Sequence, residues 1–278
     1  MAIIFIPDKH EYKSIDEEPI NWLSVTTLVG YFKQPFDAQS MSEKSAKNKR
    51  SKWYGMTPGD IRDAWKSEAL RATTLGTWYH NQRESDICEL STMTKDGIEV
   101  PVFKPVEIDG IKYAPAQKLV DGVYPEHMVF LKSAGICGQS DYVDVVNSKI
   151  NILDYKTNKE IKTESFKNWE GISQKMKGPL AHLDDCNFMH YALQLSTYMY
   201  IIQKHNHKLD PGQMTLHHVK FEEAGKDKYD NPIAARDCNG DPIVADVIPY
   251  DVPYLKSEVI NMISYLHDFR EKIVKSKK

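Results

Sequence analysis

Strand pairing is the strongest constraint in this chain, and it is concentrated in Gly138 to Lys156, GQSDYVDVVNSKINILDYK. β-Branched and aromatic residues fill both arms and the turn-forming cluster Asn147-Ser148-Lys149 separates them, so the stretch reads as two strands joined by a turn. Side chains alternate along a strand, which puts Ile150, Ile152, Asp154 and Lys156 on one face. An acid and an amine then stand side by side at the end of an apolar strand. Asp141 lies in the first arm, where pairing brings its carboxylate near that of Asp154. Two carboxylates and a lysine at one place suit a divalent metal that polarises a phosphate and activates a water, with the lysine near that water or the developing charge.

With 278 residues, 41% apolar and 10% aromatic, the chain can bury a substantial core and is read as one domain over 1–278. A formal net charge of −3 supplies no global field, so any nucleic-acid binding must come from a local basic groove. Cys88, Cys137, Cys186 and Cys238 form no C-x-x-C pair, which argues against a zinc finger or a clustered metal site. No apolar run approaches a membrane span, and MAIIFIPDKHEYKSIDEE is too short in its apolar part and too acidic for a signal or transit peptide. The expectation is a cytoplasmic protein without a membrane partner.

Along the chain, Ile3 to Ile6 read as a strand, and Ser24 as the cap of a helix over VTTLVGYFK. Lys44, Lys47, Lys49, Arg50 and Lys52 form the densest basic cluster, either a solvated surface or a phosphate-contacting arm. Thr57-Pro58-Gly59-Asp60 starts a helix running to about Ala72. A second helical stretch, LGTWYHNQRESDICEL, carries Gly76, His80 and Glu84 on one stripe. A lone helical histidine more often packs or hydrogen-bonds than ligates, but the later carboxylates change that weighting. Glu126 to Leu131 reads as a strand entering the hairpin, and 159–183 as a helix fragment plus a mobile loop. In NFMHYALQLSTYMYIIQKH the residues Phe188, Ala192, Leu195, Met199 and Ile202 make an amphipathic helix, with Gln194 and Tyr198 flanking its stripe as a boundary amide and a snorkelling ring. Met214 to Phe221 reads as a strand, DKYDNPIAARDCNGDPIVAD as a hairpin with turns at Asp230-Asn231 and Asn239-Gly240, and Val252 to Ile273 as a long helix with a lysine-rich tail.

In order these elements are helix (His80), strand, strand (Asp141), strand (Asp154, Lys156), helix (Gln194, Tyr198), strand. The arrangement resembles the αβββαβ core of the PD-(D/E)XK nuclease superfamily, and its RecB-type branch in particular. GTWYHNQRE (Gly76 to Glu84), Pro125-Glu126, GQSD (Gly138 to Asp141), DYKT (Asp154 to Thr157) and QLSTY (Gln194 to Tyr198) carry the resemblance. SVTTL near residue 24 also resembles the opening of small phage and mitochondrial-genome-maintenance exonucleases. The implied fold is α/β and restriction-endonuclease-like: a central mixed sheet flanked by helices, with an N-terminal helical extension over 1–72, a nuclease core over 73–222, and a β-hairpin and C-terminal helix over 223–278.

The resemblance implies that His80, Asp141, Asp154 and the Tyr155 carbonyl hold metal and that Lys156 positions or activates the attacking water. Glu126 would be a further acid near the metal, while Gln194 and Tyr198 would hold the lysine-bearing strand and contact DNA. Mg²⁺ or Mn²⁺ is the implied cofactor, with His80 shifting the preference toward Mn²⁺. No iron–sulfur cluster is expected, because Cys186 and Cys238 stand alone on either side of the last core strand. The leading function is a metal-dependent exonuclease on single-stranded DNA or DNA ends in replication, recombination or repair, with partners from those processes. Trp53, Tyr54, Trp78 and Tyr79 are candidates for stacking bases, although aromatics are more often buried. A structure-specific flap endonuclease, or a DNA-binding recombination partner without catalysis, remain alternatives.

Overall fold

Capping chemistry sets where the helices begin. In the computed structural model, which describes the backbone of residues 3–9, 11–15, 20–168 and 170–276 and the side chains of these except 8 and 270–276, Ser24 Oγ accepts the Thr27 N–H at 3.1 Å. Thr57 Oγ1 likewise accepts the Asp60 N–H at 3.1 Å. Each satisfies a first-turn donor that has no partner inside its helix. The chain runs β1 (Ile3–Ile6), β2 (Glu11–Ser14), β3 (Leu23–Ser24), α1 (Val25–Gly30), α2 (Ala38–Lys47) and α3 (Pro58–Cys88). Four short strands follow: β4 (Thr92–Lys95), β5 (Ile98–Pro101), β6 (Val106–Ile108) and β7 (Ile111–Tyr113). Then come β8 (Gly122–Leu131), β9 (Ile136–Val146), β10 (Lys149–Lys156), α4 (Asn187–His205) and β11 (Asp210–Phe221). The chain ends with β12 (Glu223–Lys226), β13 (Pro232–Ala234), β14 (Val244–Asp251) and α5 (Lys256–Ser276). Among the described residues no helix is long and apolar enough to cross a membrane.

β9 and β10 pair from Val146 with Lys149 to Tyr142 with Leu153, so Asn147 and Ser148 alone turn the chain. Their φ values of 52° and 61° are the left-handed pair that a two-residue turn needs to match the strand twist. β8 pairs antiparallel with β9, β11 lies parallel to β10, and β14 lies antiparallel to β11. The parallel step requires a crossover, which α4 supplies. Ala192, Leu195, Met199 and Ile202 of α4 are buried against Ile150, Ile152 and Leu216 of the sheet, and each larger side chain contributes about 1.5–3 kcal/mol by leaving water. On the other face Tyr79 of α3 packs with Tyr155 and Val219. The order α3, β8, β9, β10, α4, β11 is the αβββαβ order read from the sequence. Beyond Tyr142 and Leu153 the β9–β10 ladder stops, and β3 takes over the edge of β9 at Ile136 and Cys137. The sheet forks there, with Asp141 and Asp154 next in register.

Several readings of the sequence change. Pro58 to Cys88 is one helix, not a helix to Ala72 followed by another. Gly76 does not break it, because that bare position lets Thr157 Oγ1 approach and donate to Ala72 O at 2.9 Å. The first 72 residues are not only helical, since β1 and β2 join β7 and β6 in a four-stranded sheet. Among the described residues, 159–183 contain a single 3-10 turn at Gly178–Leu180 and no α-helix. Ile161, Met176 and Leu180 of that segment are buried in the main core and anchor what reads as a mobile loop, while Phe166 and Ile172 stay exposed. After residue 222, β12 and β13 form a hairpin, but β14 returns to the central sheet. The Ile273 side chain and residues 277–278 of the lysine-rich tail lie outside the described residues.

Tyr198 does not snorkel: it is 3% exposed, inside the core. It fits because Gly138 carries no side chain; a Cβ there would stand 2.7 Å from Tyr198 Cε1 and 3.3 Å from Val25 Cγ2. Gly138→Ala must therefore displace the ring or the strand, at a cost of roughly 1–3 kcal/mol. The expected readout is a lower denaturation midpoint at an unchanged slope. A wild-type midpoint would show that α4 and β9 are not in such close contact.

Candidate metal centre

The fork in the sheet determines what its residues can do. Tyr155 N–H has lost its ladder partner on β9, and Asp141 Oδ2 accepts it at 2.8 Å. The other Asp141 oxygen faces His80 of α3, with Nδ1 to Oδ1 at 3.3 Å. His80 Nε2 lies 3.2 Å from the Tyr155 carbonyl oxygen. Glu126 joins from β8, its Oε1 at 4.0 Å from His80 Nδ1 and its Oε2 accepting from Gln139 Nε2 at 2.7 Å. Glu126 sits opposite Asp141 between the pairs Pro125–Tyr142 and His127–Ser140, and its φ of 48° is left-handed. A non-glycine residue held there stores strain, as residues at functional sites often do.

Ligand atoms of His80, Glu126 and Asp141 all lie within 4.8 Å of one another. Asp154, 1% exposed, is ion-paired with Lys156, and its Oδ1 is buried with no hydrogen-bond partner among the described residues. Lys156 Nζ also stands 5.0 Å over the Tyr191 ring, and Tyr191 is oriented by its hydroxyl donating to Asn158 Oδ1 at 2.7 Å. Carboxylate oxygens, one carbonyl, one imidazole and an orphaned carboxylate oxygen fit a hard divalent cation.

The electrostatics show a site short of positive charge. Burial lifts the Asp154 carboxyl, Asp141 lifts it further and Lys156 restrains it, leaving it at about 6. Burial and Asp141 push Glu126 to about 8. For His80 burial favours the neutral ring, but the adjacent Asp141 carboxylate outweighs it and raises the imidazolium to about 9. Burial also acts against the Asp141 carboxylate, yet His80, Lys156 and the Tyr155 N–H hold it below the usual range.

The structure thus brings together His80, Glu126, Asp141, Asp154, Tyr155 and Lys156. Gln194 lies on α4, its Nε2 donating to the Tyr198 hydroxyl at 3.1 Å. Buried as it is, Tyr198 offers DNA no surface, a correction to its expected DNA contact. Lys44 and Lys47 end α2, and Lys49, Arg50 and Lys52 occupy the following turn. All five are exposed, and among the described residues none contacts the acidic cluster. Of the aromatic candidates, Tyr79 is buried, Trp78 donates to Asp241, Trp53 packs on Trp65 and Tyr54 is 53% exposed. Sequence reasoning misses Tyr191 and Gln139. Gln139 sits inside the quoted GQSD motif, whereas Tyr191 reaches Lys156 only through the packing of α4.

Residues 55–273, from just before the cap of α3 into α5, match the family model of the PD-(D/E)XK nuclease superfamily. The chain belongs to that superfamily. The sequence Asp154-Tyr155-Lys156 has the form of the (D/E)XK triplet in the family's name. Membership makes this a nuclease dependent on a divalent metal, with DNA as its substrate. A search of the curated proteins finds no match. A solved structure described as "Crystal structure of SSO0001" aligns over 92% of this chain and 79% of its own, at 12% identity and a TM-score of 0.31, too low to add to the argument.

Because His80 and Glu126 hold protons near neutral pH without metal, cation binding must displace them. Apparent Mn²⁺ affinity is expected to rise from pH 6 to about 9, with proton release at pH 7 that His80→Ala reduces. Titration calorimetry in buffers of different ionisation heat measures this; equal heats in all buffers would count against these ligands.

Proposed function

We propose that the protein is a metal-dependent exonuclease of the RecB-type branch that acts on single-stranded DNA or DNA ends in replication, recombination or repair. The observation that carries the reading is the fork in the sheet, where the buried pair Asp154–Lys156 stands next to Asp141, with His80 and Glu126 on the neighbouring elements. His80, Asp141, Asp154 and the Tyr155 carbonyl are assigned to hold Mg²⁺ or Mn²⁺, and Glu126 to complete the acidic set. A bound divalent cation supplies Lewis-acid charge to the phosphate and favours hydroxide over water. Lys156 orients the attacking water, its ammonium kept charged and in place by Asp154 although burial opposes the charge. Asp141 keeps its carboxylate ionised and fixed through the Tyr155 N–H. Gln194 acts at one remove, through the Tyr198 hydroxyl.

Asp154→Asn is expected to lower cleavage of a labelled single strand by roughly 100-fold or more while leaving the melting temperature near wild type, since the amide keeps the volume and loses the charge. Wild-type turnover in Mg²⁺ would sink the assignment. Lys156→Ala strands a buried carboxylate, so its activity has meaning only beside its melting temperature. A closed circular single strand separates an exonuclease, which spares it, from an endonuclease.

Lys44, Lys47, Lys49, Arg50 and Lys52 are proposed to guide the strand. Replacing all five with glutamine should flatten the slope of log affinity against log salt by about 0.7 per lost contact. Turnover at saturating DNA should stay the same, because contacts shared by ground and transition states alter only the apparent Michaelis constant. An unchanged slope would leave this cluster a solvated surface and move the search to Lys159, Lys162 and Lys167.

A further inference from the structure

A recess opens along β8 and has Glu126 in its lining. It has a volume of about 360 Å³, within the roughly 300–1,000 Å³ of pockets that take a small molecule. Its wall is a platform rather than a loose side chain. Phe103 stacks on Tyr124 with ring centroids 4.8 Å apart and planes 13° apart. The same ring lies close over Gly122, where a Cβ would meet Phe103 Cδ2 at 2.8 Å. Seated against Tyr124 and Gly122, Phe103 leaves 40% of its surface exposed, an apolar face next to charged residues.

The polar groups around that face match a nucleotide. Lys104 and Lys118 line the recess, are exposed, and form no ion pair among the described residues. His127, 3% exposed, lines it too and makes no hydrogen bond among the described residues, so an imidazole is left to meet a polar edge. Glu126 is common to this recess and to the acidic cluster. A ligand seated here therefore lies beside the metal centre and not at a remote surface.

We propose that this recess is a nucleotide subsite that holds one unstacked nucleotide of the DNA strand next to the cleavage point, its base on Phe103 and its phosphate between Lys104 and Lys118. The proposal rests on the reading of the protein as a nuclease that engages single strands. Base stacking on an aromatic side chain tolerates any base, so the subsite sets the register of the strand without reading its sequence.

The test is binding of a labelled single strand by fluorescence anisotropy in EDTA, where no cleavage occurs. Phe103→Ala should weaken binding about 5- to 100-fold, and Phe103→Trp should restore it. The double variant Lys104→Gln/Lys118→Gln, which alters only exposed side chains, should flatten the salt slope by about 1.4. Strands with a single abasic residue moved along the sequence should lose affinity for wild type at one position, and Phe103→Ala should lose nothing more there. Adding deoxyadenylate as competitor separates the two sources of the same chemistry: it should displace the strand only weakly, whereas displacement as strong as by an unlabelled strand would assign the recess to free mononucleotide and overturn the proposal. Wild-type binding and salt slope in both sets of variants, with no abasic position coupled to Phe103, would also overturn it while cleavage by the same preparations upheld the nuclease. A wild type that neither binds nor cuts single strands would instead overturn the underlying reading.

Discussion

The site depends on one hydrogen bond, from the Tyr155 N–H to Asp141 Oδ2. A mixed sheet that splits between two strands leaves backbone amides without partners, and a buried orphan amide costs about 1–3 kcal/mol. Here a side chain from the departing strand takes the place of the missing carbonyl. The acceptor is a carboxylate, so the group that closes the ladder also brings negative charge into the opening. Fold and chemistry share an atom pair, and the position of Asp141 is as fixed as the strands themselves.

Around that hook the charges are arranged in tension. Three carboxyl groups crowd a buried corner, where Lys156, a protonated His80 and, at Glu126, the charge of Lys112 offset them in part. Protons and a divalent cation are alternative ways of relieving the same repulsion. The left-handed backbone at Glu126 adds to the cost, because it is held against its own preference in the middle of a strand. Such a corner persists because the core beneath it is dense: Ile150 and Ile152 on β10 and the apolar stripe of α4 hold the fork in place.

Elements with a clean period are legible in the sequence, and those defined by contact are not. The β9–β10 hairpin reads correctly because alternation and an Asn-Ser turn both mark it, and the stripe of α4 from Ala192 to Ile202 is buried as its spacing predicts. Asp141, Asp154 and Lys156 follow from that hairpin alone. The continuity of α3 does not, since the stretch reads as two helices until Thr157 is seen against Gly76 and the Ala72 carbonyl. β14 hides because an edge strand containing Pro249 carries only weak alternation. Tyr198 is misread for a similar reason: the gap that receives its ring is a missing side chain on another element, sixty residues earlier in the chain. The Lys156–Tyr191 contact likewise exists only once α4 lies across the sheet.

The uninterrupted course of α3 has a mechanical consequence. At 1.5 Å per residue, the helix separates its Thr57 cap from His80 by about 35 Å, and the ladder of backbone bonds between them contains no proline after the first turn. One end abuts the basic turn after α2; the other carries an imidazole into the acidic fork. A helix of this kind resists compression and bending far better than a loop, so the two ends cannot drift independently. The spacing between the basic turn and the acidic corner is thereby a built-in length, set by the number of residues in the rod.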